Sequence, residues 1–286
     1  MTRRGFTLTE MLMSLTVLGL MGIALTRILM SDTRFVSRQD AMLTARQGAR
    51  AALNVLVPEL SMVGDTMGVE LATRDSVEVR TSAAFGVACR SASSSSMIAA
   101  MLPVDSVAWA MVDTTRFFWR QRSGYYKRLW GISMVNTTAA ADSAKCFADS
   151  VRLIPGGKLK KITGIGGGEM PDSLALIMTY AIVKYKFAPS TYLPGRIGLW
   201  RQVSGFSAEE LVAPFDTSAR FAYLMGGPKA ATLTLRTSSV TSSAGRDSIR
   251  GIELRLHAAS EKSAQGTKKP EVFRLKARVR FANKVH

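Results

Sequence analysis

The N-terminus places residues of unusual chemistry at a fixed spacing. Arg3 and Arg4 precede Gly5-Phe6-Thr7-Leu8-Thr9-Glu10, and an apolar run from Met11 to Leu25 follows. Glu10 is therefore a carboxylate inside a segment that is otherwise apolar enough to cross a membrane. A charge at that depth costs about 2.5–3.5 kcal/mol on insertion scales, so we expect a cationic partner to neutralise it.

A secretory signal peptide and a plain membrane anchor are two simpler interpretations of this segment. A signal peptide needs a small-residue cleavage site after the apolar run, but Leu25-Thr26-Arg27-Ile28-Leu29-Met30 follows here. A plain anchor fits the length, because Phe6 to Met30 is enough to span a hydrocarbon core of about 30 Å, and the leading arginines keep the N-terminus cytoplasmic. The plain anchor stays an alternative, although it leaves Glu10 without a role.

The same residues resemble a known N-terminal signal. Gly-Phe-Thr-Leu-x-Glu, after a short basic leader and before an apolar helix, is similar to the class III signal of type IV prepilins and type II secretion pseudopilins. The resemblance implies that a membrane-embedded prepilin peptidase cuts after Gly5 and methylates the new N-terminal Phe6. It also implies that other pilin or pseudopilin subunits are partners, contacted through the N-terminal helix.

Cleavage would create the cation that Glu10 needs. The new α-amine of Phe6 has an unperturbed pKa of about 8 and is therefore charged at neutral pH. In a fibre, this interpretation pairs Glu10 with the Phe6 amine of a neighbouring subunit, so that two charges that are costly alone in lipid cancel. The pairing would also set the axial register, which is the best-attested use of a buried ion pair.

The rest of the chain shows no catalytic constellation in its sequence. Its two histidines are His257, on the outward polar phase of a predicted strand and hence expected in solvent, and the terminal His286. In the glycine-rich run 164–169, Glu169 replaces the third glycine of a dinucleotide-binding pattern, and two widely separated cysteines form no zinc motif. The sequence therefore predicts a non-catalytic protein without a cofactor or a metal site.

The chain is strongly basic, with 38 Lys and Arg against 21 Asp and Glu and a formal net charge of +17. Such a charge favours acidic polymers such as DNA as partners, although a solvated basic surface is the simpler interpretation. The best local candidate for nucleic-acid contact interleaves aromatic and basic residues, a composition that suits base stacking. Its members are Arg116, Trp119, Arg120, Arg122, Tyr125, Tyr126, Lys127 and Arg128. A buried hairpin with a basic outer face is the alternative.

Cys89 and Cys146 are the two cysteines of the chain. In a domain exported across the inner membrane they can form a disulfide, which would stabilise the fold by roughly 4 kcal/mol on the chain-entropy model. Two free buried cysteines are the alternative.

A long helix is predicted to connect the N-terminal signal with the folded domain. Beyond the span, apolar residues recur at spacings of three and four and so share one helical face; they are Met42, Ala45, Ala49, Leu53, Leu56, Leu60 and Val63. The opposite face carries Arg38, Asp40, Arg46, Gln47, Arg50 and Asn54. The pattern predicts one helix from about Thr7 to about Met62, kinked at Pro58 or ended early at Val57.

From Val69 onward the sequence predicts strands, because short runs rich in β-branched and aromatic residues are broken by Gly, Pro, Ser and Asp. The predicted strands are Ser76–Arg80, Val107–Val112, Arg116–Gln121, Tyr125–Met134, Ser150–Leu153, Leu174–Phe187, Gly198–Val203, Arg220–Leu224, Thr232–Arg236, Arg250–Leu256 and Val272–Phe281. Loops are predicted at 91–96, 164–168 and 238–245.

Within the prepilin class the chain resembles a narrower group. Residues 49–56 and 59–64 are similar to the end of the long helix in the W-type minor pilins of type IV pili and the J-type minor pseudopilins of type II secretion. The similarity continues, in order, through Val183–Tyr185, Gly198–Arg201, Glu209–Val212, Phe221–Tyr223 and a closing hairpin over 249–256 and 272–281. Major pilins usually carry a proline near the position of Arg27, and this departure favours a minor subunit.

These observations predict an α+β fold, in which a long N-terminal transmembrane helix packs on a C-terminal antiparallel β-rich domain. The expected divisions are a leader at 1–5, a helix at 6–62 that is transmembrane over 6–30 and amphipathic over 31–62, and a periplasmic or extracellular domain at 63–286. The expected function is a minor subunit that initiates or caps a type IV pilus or a type II secretion pseudopilus. The protein would lie first in the bacterial inner membrane and then in the fibre. A DNA-binding minor pilin for DNA uptake and a plain membrane-anchored periplasmic domain are the alternatives.

Overall fold

The structure is a computed structural model, and it describes residues 8–63, 68–89, 93–110, 116–120, 126–130, 132–165, 170–227 and 232–281. The helices are α1 (Leu8–Ser61), α2 (Pro103–Ala110), α3 (Ala140–Ala148) and α4 (Ser243–Asp247). The strands are β1 (Val69–Ala72), β2 (Ser76–Ala88), β3 (Ser96–Met101), β4 (Arg116–Arg120), β5 (Tyr126–Trp130), β6 (Ser133–Thr137), β7 (Lys158–Thr163), β8 (Leu176–Pro189), β9 (Ile197–Val203), β10 (Glu209–Phe215), β11 (Arg220–Met225), β12 (Thr234–Arg236), β13 (Ile249–Ser263) and β14 (Pro270–Arg280).

The helix α1 is continuous over 54 residues, about 80 Å at 1.5 Å per residue, and its two halves have different surroundings. No residue from 8 to 44 is buried, whereas Ala45, Ala49, Ala52, Leu56 and Leu60 are buried against the domain. Of the predicted apolar stripe, Met42 and Leu53 are only half-buried, and Val63 is buried just beyond the helix. The helix packs chiefly on β13 and β14, so the apolar periodicity of its second half fixes it to the sheet.

Pro58 does not end α1. The prediction of an early end at Val57 is wrong, because the helix continues through Pro58 to Ser61. Proline lacks the N–H that would bond the carbonyl of Asn54, but Asn54 and Pro58 both lie on the exposed side of the helix, where water can take that place. The hydroxyl of Ser61 donates to the carbonyl of Pro58 at 2.8 Å.

The described strands form one antiparallel sheet. Its order is β12-β11-β13-β10-β9-β8-β2-β3-β7-β6, with β1 beside β2, β14 beside β13, and the β4–β5 hairpin beside β8. The longest pairings are β2 with β8 and β13 with β14. The predicted fold class is therefore confirmed: a long N-terminal helix lies on an antiparallel β-rich domain.

The two largest hydrophobic cores among the described residues hold the domain together. The first joins α1 to the middle of the sheet and includes Leu56, Leu60, Tyr185 and Leu254. The second lies farther from α1, and its largest side chains are Trp109, Phe117, Trp119 and Ile162. Beside the second core, a disulfide joins Cys89, after β2, to Cys146 in α3. The disulfide therefore ties α3 to the sheet.

Two predicted strands are wrong. The run Val107–Val112 was predicted to be a strand, but α2 covers residues 103–110, and 111–112 lie outside the described residues. A short apolar run does not distinguish a strand from a buried helix, and Pro103 suits the first turn of a helix, where its missing N–H removes no bond. Residues Ser150–Leu153 form no strand, because Ser150 makes a left-handed turn (φ 61°) at the end of α3.

Other element boundaries also differ from the prediction. The run Tyr125–Met134 is divided between β5 and β6, which pair with β4 and β7 respectively. The strands β1, β3, β7 and β10 and the helix α3 were not among the elements predicted from the sequence pattern. Every residue of β3 is buried, so it lacks the alternation that marks a half-buried strand. The short helix α4 occupies part of the loop predicted at 238–245.

Candidate functional site

The first half of α1 is an apolar surface that the domain does not cover. It contains a segment near the N-terminus that is long and apolar enough to cross a membrane, and none of this segment is buried in the structure. Leu8, Met11, Leu15, Leu18 and Leu20 are all more than half exposed. A continuous apolar surface of this size is stable in lipid or against other apolar helices.

Glu10 lies in the first described turn of this apolar half. The hydroxyl of Ser14 donates to the carbonyl oxygen of Glu10. Gly5 and Phe6, the predicted cleavage and methylation residues, lie outside the described residues, so the pairing of Glu10 with a neighbour's Phe6 amine stays a prediction.

The β13–β14 hairpin holds α1 where the helix meets the domain. Arg38 Nε donates to Glu271 Oε1 at 2.9 Å, and the backbone N–H of Gln265 donates to Ser37 Oγ at 3.0 Å. Gly266 adopts a positive φ of 84° and lies beneath the side chain of Arg34, which a Cβ at this position would meet at 3.3 Å. The domain therefore contacts α1 from residue 34 onward.

At the C-terminal end of α1, the carboxylate of Glu59 binds the helix to the sheet. Glu59 Oε1 accepts from Arg201 Nη2 at 2.7 Å, and Glu59 Oε2 accepts from the hydroxyl of Tyr185. Arg201 Nη1 also lies 3.2 Å from Glu209 Oε1. Burial, together with the Glu59 charge, raises the pKa of the Tyr185 hydroxyl, so the hydroxyl stays protonated and donates. The last turn of α1 is thus bound to β8 and β9.

Four separate stretches that carry the sequence resemblance meet at this point. Glu59, Tyr185, Arg201 and Glu209 come from the helix end and from three different strands. Next to them, the side chain of Glu210 crosses Gly198, where any Cβ would collide with it. Glu210 Oε2 accepts from the N–H and hydroxyl of Thr191 at 2.8 and 2.7 Å. The ordered motifs therefore have a structural role, which is to attach α1 to the sheet.

The predicted nucleic-acid segment does not offer Trp119 for stacking. The segment forms the β4–β5 hairpin, and Trp119 is 1% exposed inside the second core. Lys127 is half-buried. Arg122 and Tyr125 lie outside the described residues, as do the side chains of Arg116, Arg120, Tyr126 and Arg128. The alternative of a hairpin with a buried aromatic side fits the position of Trp119.

His257 is only 9% exposed, so the expectation of a solvated histidine is wrong. It does lie on the sheet face opposite α1, as the alternation predicts, but the neighbouring side chains cover it. The hydroxyl of Ser218 donates to Asp216 Oδ1 and lies 2.7 Å from His257 Nδ1. Burial, and then the charge of Arg274, lower the pKa of His257.

This Asp216–Ser218–His257 cluster lacks the arrangement of a nucleophilic triad. A catalytic histidine accepts the serine proton, but here Ser218 uses its single proton on Asp216, so neutral His257 donates to Ser218 from Nδ1. Among the described residues, no group of three or more His, Cys, Asp and Glu side chains could hold a metal ion. The candidate functional site is therefore the uncovered apolar half of α1, together with the carboxylate of Glu10.

A comparison with known protein families finds a match at the N-terminal end of the chain. Residues 1–26 match the family model of the prokaryotic N-terminal methylation motif, the type IV prepilin-like signal. Together with the long helix on a β-rich domain, this motif supports a type IV pilin-like protein. The motif implies processing by a prepilin peptidase and assembly with other pilins, and proteins that carry it are generally structural and non-catalytic. Neither the curated proteins nor the solved structures contain a match to this chain.

Proposed function

We propose that this protein is a non-catalytic minor pilin or minor pseudopilin that helps to start or cap a fibre. The leader 1–5 is removed, residues 6–30 of the helix 6–62 form the core of the fibre, and the domain 63–286 lies in the periplasm or outside the cell. The observation that carries the proposal is the division of α1. Residues 8–44 contain no buried position, whereas the residues that follow are packed on the sheet.

The uncovered apolar half of α1 suits a subunit that is first in a membrane and later in a fibre. In the membrane, lipid covers this half. In a fibre, the corresponding halves of neighbouring subunits cover one another, so apolar surface stays out of water in both states. The hydrogen bonds of Ser37 and Arg38 to the β13–β14 hairpin hold the helix on the domain, so the subunit can leave the membrane as one body.

The charge of Glu10 favours the move of the helix from the membrane into the fibre. In lipid, the carboxylate of Glu10 and the amine of a processed Phe6 each resist burial. Pairing Glu10 with the amine of an adjacent subunit neutralises both charges, which favours the assembled state and fixes the axial register. Arg27, at the position where major pilins usually have proline, supports the assignment as a minor subunit.

The mass of the N-terminus tests the proposal. The full chain is produced with a prepilin peptidase, recovered from the fibre or the membrane, and digested for mass spectrometry. We expect an N-terminal peptide that begins at a singly methylated Phe6. The matched control is Gly5→Leu, which should leave residues 1–5 attached because a bulky residue precedes the cut. Residues 1–5 still attached to the natural protein after production with the peptidase would contradict the proposal, and their retention on membrane-bound protein that forms no fibre would favour a plain anchor.

A further inference from the structure

The outer face of β11, β13 and β14, turned away from α1, carries rows of cations. Along β14, cations alternate with core-facing residues and all four are exposed; they are Arg274, Lys276, Arg278 and Arg280. Residues two apart in an antiparallel strand are separated by about 6.8 Å, so this row is roughly 20 Å long. Arg255 of β13 lies opposite Lys276 on one side and Arg220 of β11 on the other. We call these six residues the basic face.

The acids near the basic face neutralise only part of it. Glu253 is bound by Arg255 Nε and Arg278 Nε, each at 2.8 Å. Asp216 accepts from Ser218 instead. In the part of the chain that the structure describes, Arg274, Lys276 and Arg280 form no ion pair. The face therefore keeps a net positive charge after its internal pairs are counted.

At the base of this face, the buried donor Nε of Arg220 lacks a hydrogen-bond partner among the described residues. Buried polar atoms in folded proteins nearly always have a partner. Burial, and then the charges of Arg74 and Arg255, lower the pKa of Arg220. An anion bound on this face would offset the repulsion among these cations.

The direction of the basic face favours a linear polyanion over a lipid surface. β14 begins beside α1, where Glu271 contacts Arg38. Arg280 lies nine residues farther along the strand, about 30 Å away at 3.4 Å per residue. A plane of lipid headgroups near the exit of the helix could touch only one end of the row. A polymer with regularly spaced phosphates can lie along all of it.

We propose that the basic face of β11, β13 and β14 binds nucleic acid through the phosphate backbone, without reading the base sequence. This surface differs from the β4–β5 segment that the sequence favoured, because its four cations in β14 are exposed whereas Trp119 is buried. The inference does not depend on fibre assembly, so its failure would leave the proposed function untouched.

Binding by the full chain in neutral detergent micelles tests the proposal. The probe is a fluorescently labelled mixed-sequence 20-nucleotide single strand, titrated at several salt concentrations. We compare the natural protein with the triple variant Arg274→Gln/Lys276→Gln/Arg280→Gln, whose positions are exposed and form no internal ion pair. Each lost contact should lower the salt slope by about 0.7, and three lost contacts should weaken binding about 100-fold at 0.1 M salt.

The matched control removes the same charge elsewhere. Arg50→Gln/Arg152→Gln/Lys158→Gln changes three exposed cations outside the basic face, and we expect it to weaken binding less than about threefold. Equal losses in the two triple variants would overturn the proposal, since they would show that only net charge matters. Binding to vesicles with one-third anionic phospholipid but not to the oligonucleotide would overturn it as well.

Discussion

At the scale of single residues, Glu59 joins the end of α1 to the sheet. It accepts from Arg201 and Tyr185 and so attaches the last turn of α1 to two strands. Because the pair is about one-quarter exposed, solvent weakens it relative to a fully buried ion pair. Its removal still leaves Arg201 and Tyr185 without their shared acceptor.

We therefore predict that Glu59→Gln lowers the free energy of unfolding by about 1–2 kcal/mol. Glu209→Gln is the matched control, because Glu209 contacts the same guanidinium but its side chain is 60% exposed. That control should cost less than about 0.5 kcal/mol. Urea unfolding of the full chain in detergent, followed by tryptophan fluorescence, measures both. Equal effects would show that Glu59 has no special role.

His257 makes stability depend on pH. Its pKa in the folded protein is below the usual value, because of burial and then Arg274. The unfolded chain therefore binds more protons below about pH 6.5, and stability falls as the pH drops through that value. The carboxylate of Asp216 has a lowered pKa because Ser218 donates to it, so its contribution is lost only at far lower pH.

We predict that the melting temperature of the full chain in detergent falls between pH 7.5 and 5.5. In His257→Asn, which keeps a donor for Ser218 but does not titrate, this fall should be smaller. Circular dichroism at the two pH values gives the comparison. A fall of the same size in both proteins would assign the pH dependence to other groups.

At the scale of elements, the packing of α1 depends on alanines. Ala45, Ala49 and Ala52 are buried where the helix crosses the sheet, and a Cβ added at Gly48 would lie 3.8 Å from Val212 and 3.9 Å from Ala258. Small side chains permit a close approach of helix and strand. A larger side chain has no space to occupy without moving the helix.

We predict that Ala52→Leu destabilises the protein by about 1–3 kcal/mol. Ala51→Leu is its control, because Ala51 is the exposed neighbour in the same helix and leucine and alanine have similar helix propensities. The same urea unfolding experiment distinguishes them. A neutral Ala52→Leu would mean that the helix does not pack closely at this position.

The sequence predicted elements wherever one pattern dominated. Spacings of three and four found the packed face of α1, and alternation found β13 and β14, although β13 is longer than predicted. Alternation also placed His257 on the face opposite α1, but it could not show that Ser218 and Arg274 cover that face. The strand predicted at Val107–Val112 failed because an apolar run of that length fits a buried helix equally well.

At the scale of the whole molecule, the described residues form a folded domain and an apolar half of α1 that the domain does not cover. The methylation motif, at residues 1–26, overlaps the N-terminal part of this apolar half. The sequence predicted this division because the apolar run and Glu10 are local features. It could not predict that Glu59, Tyr185 and Arg201 meet, because that contact depends on the strand order.

The central claim is that Glu10 favours assembly through a neighbour's N-terminal amine, and copolymerisation of Glu10→Gln with the natural partner subunits tests it most directly. The quantity measured is the amount of variant in purified fibres relative to the amount in the membrane. We predict at least a tenfold decrease, with membrane insertion unchanged, because about 1.4 kcal/mol of lost pairing corresponds to a factor of ten. Thr16→Val, which removes a polar but uncharged group from the same span, should assemble normally. Equal incorporation of Glu10→Gln and the natural protein would contradict the account.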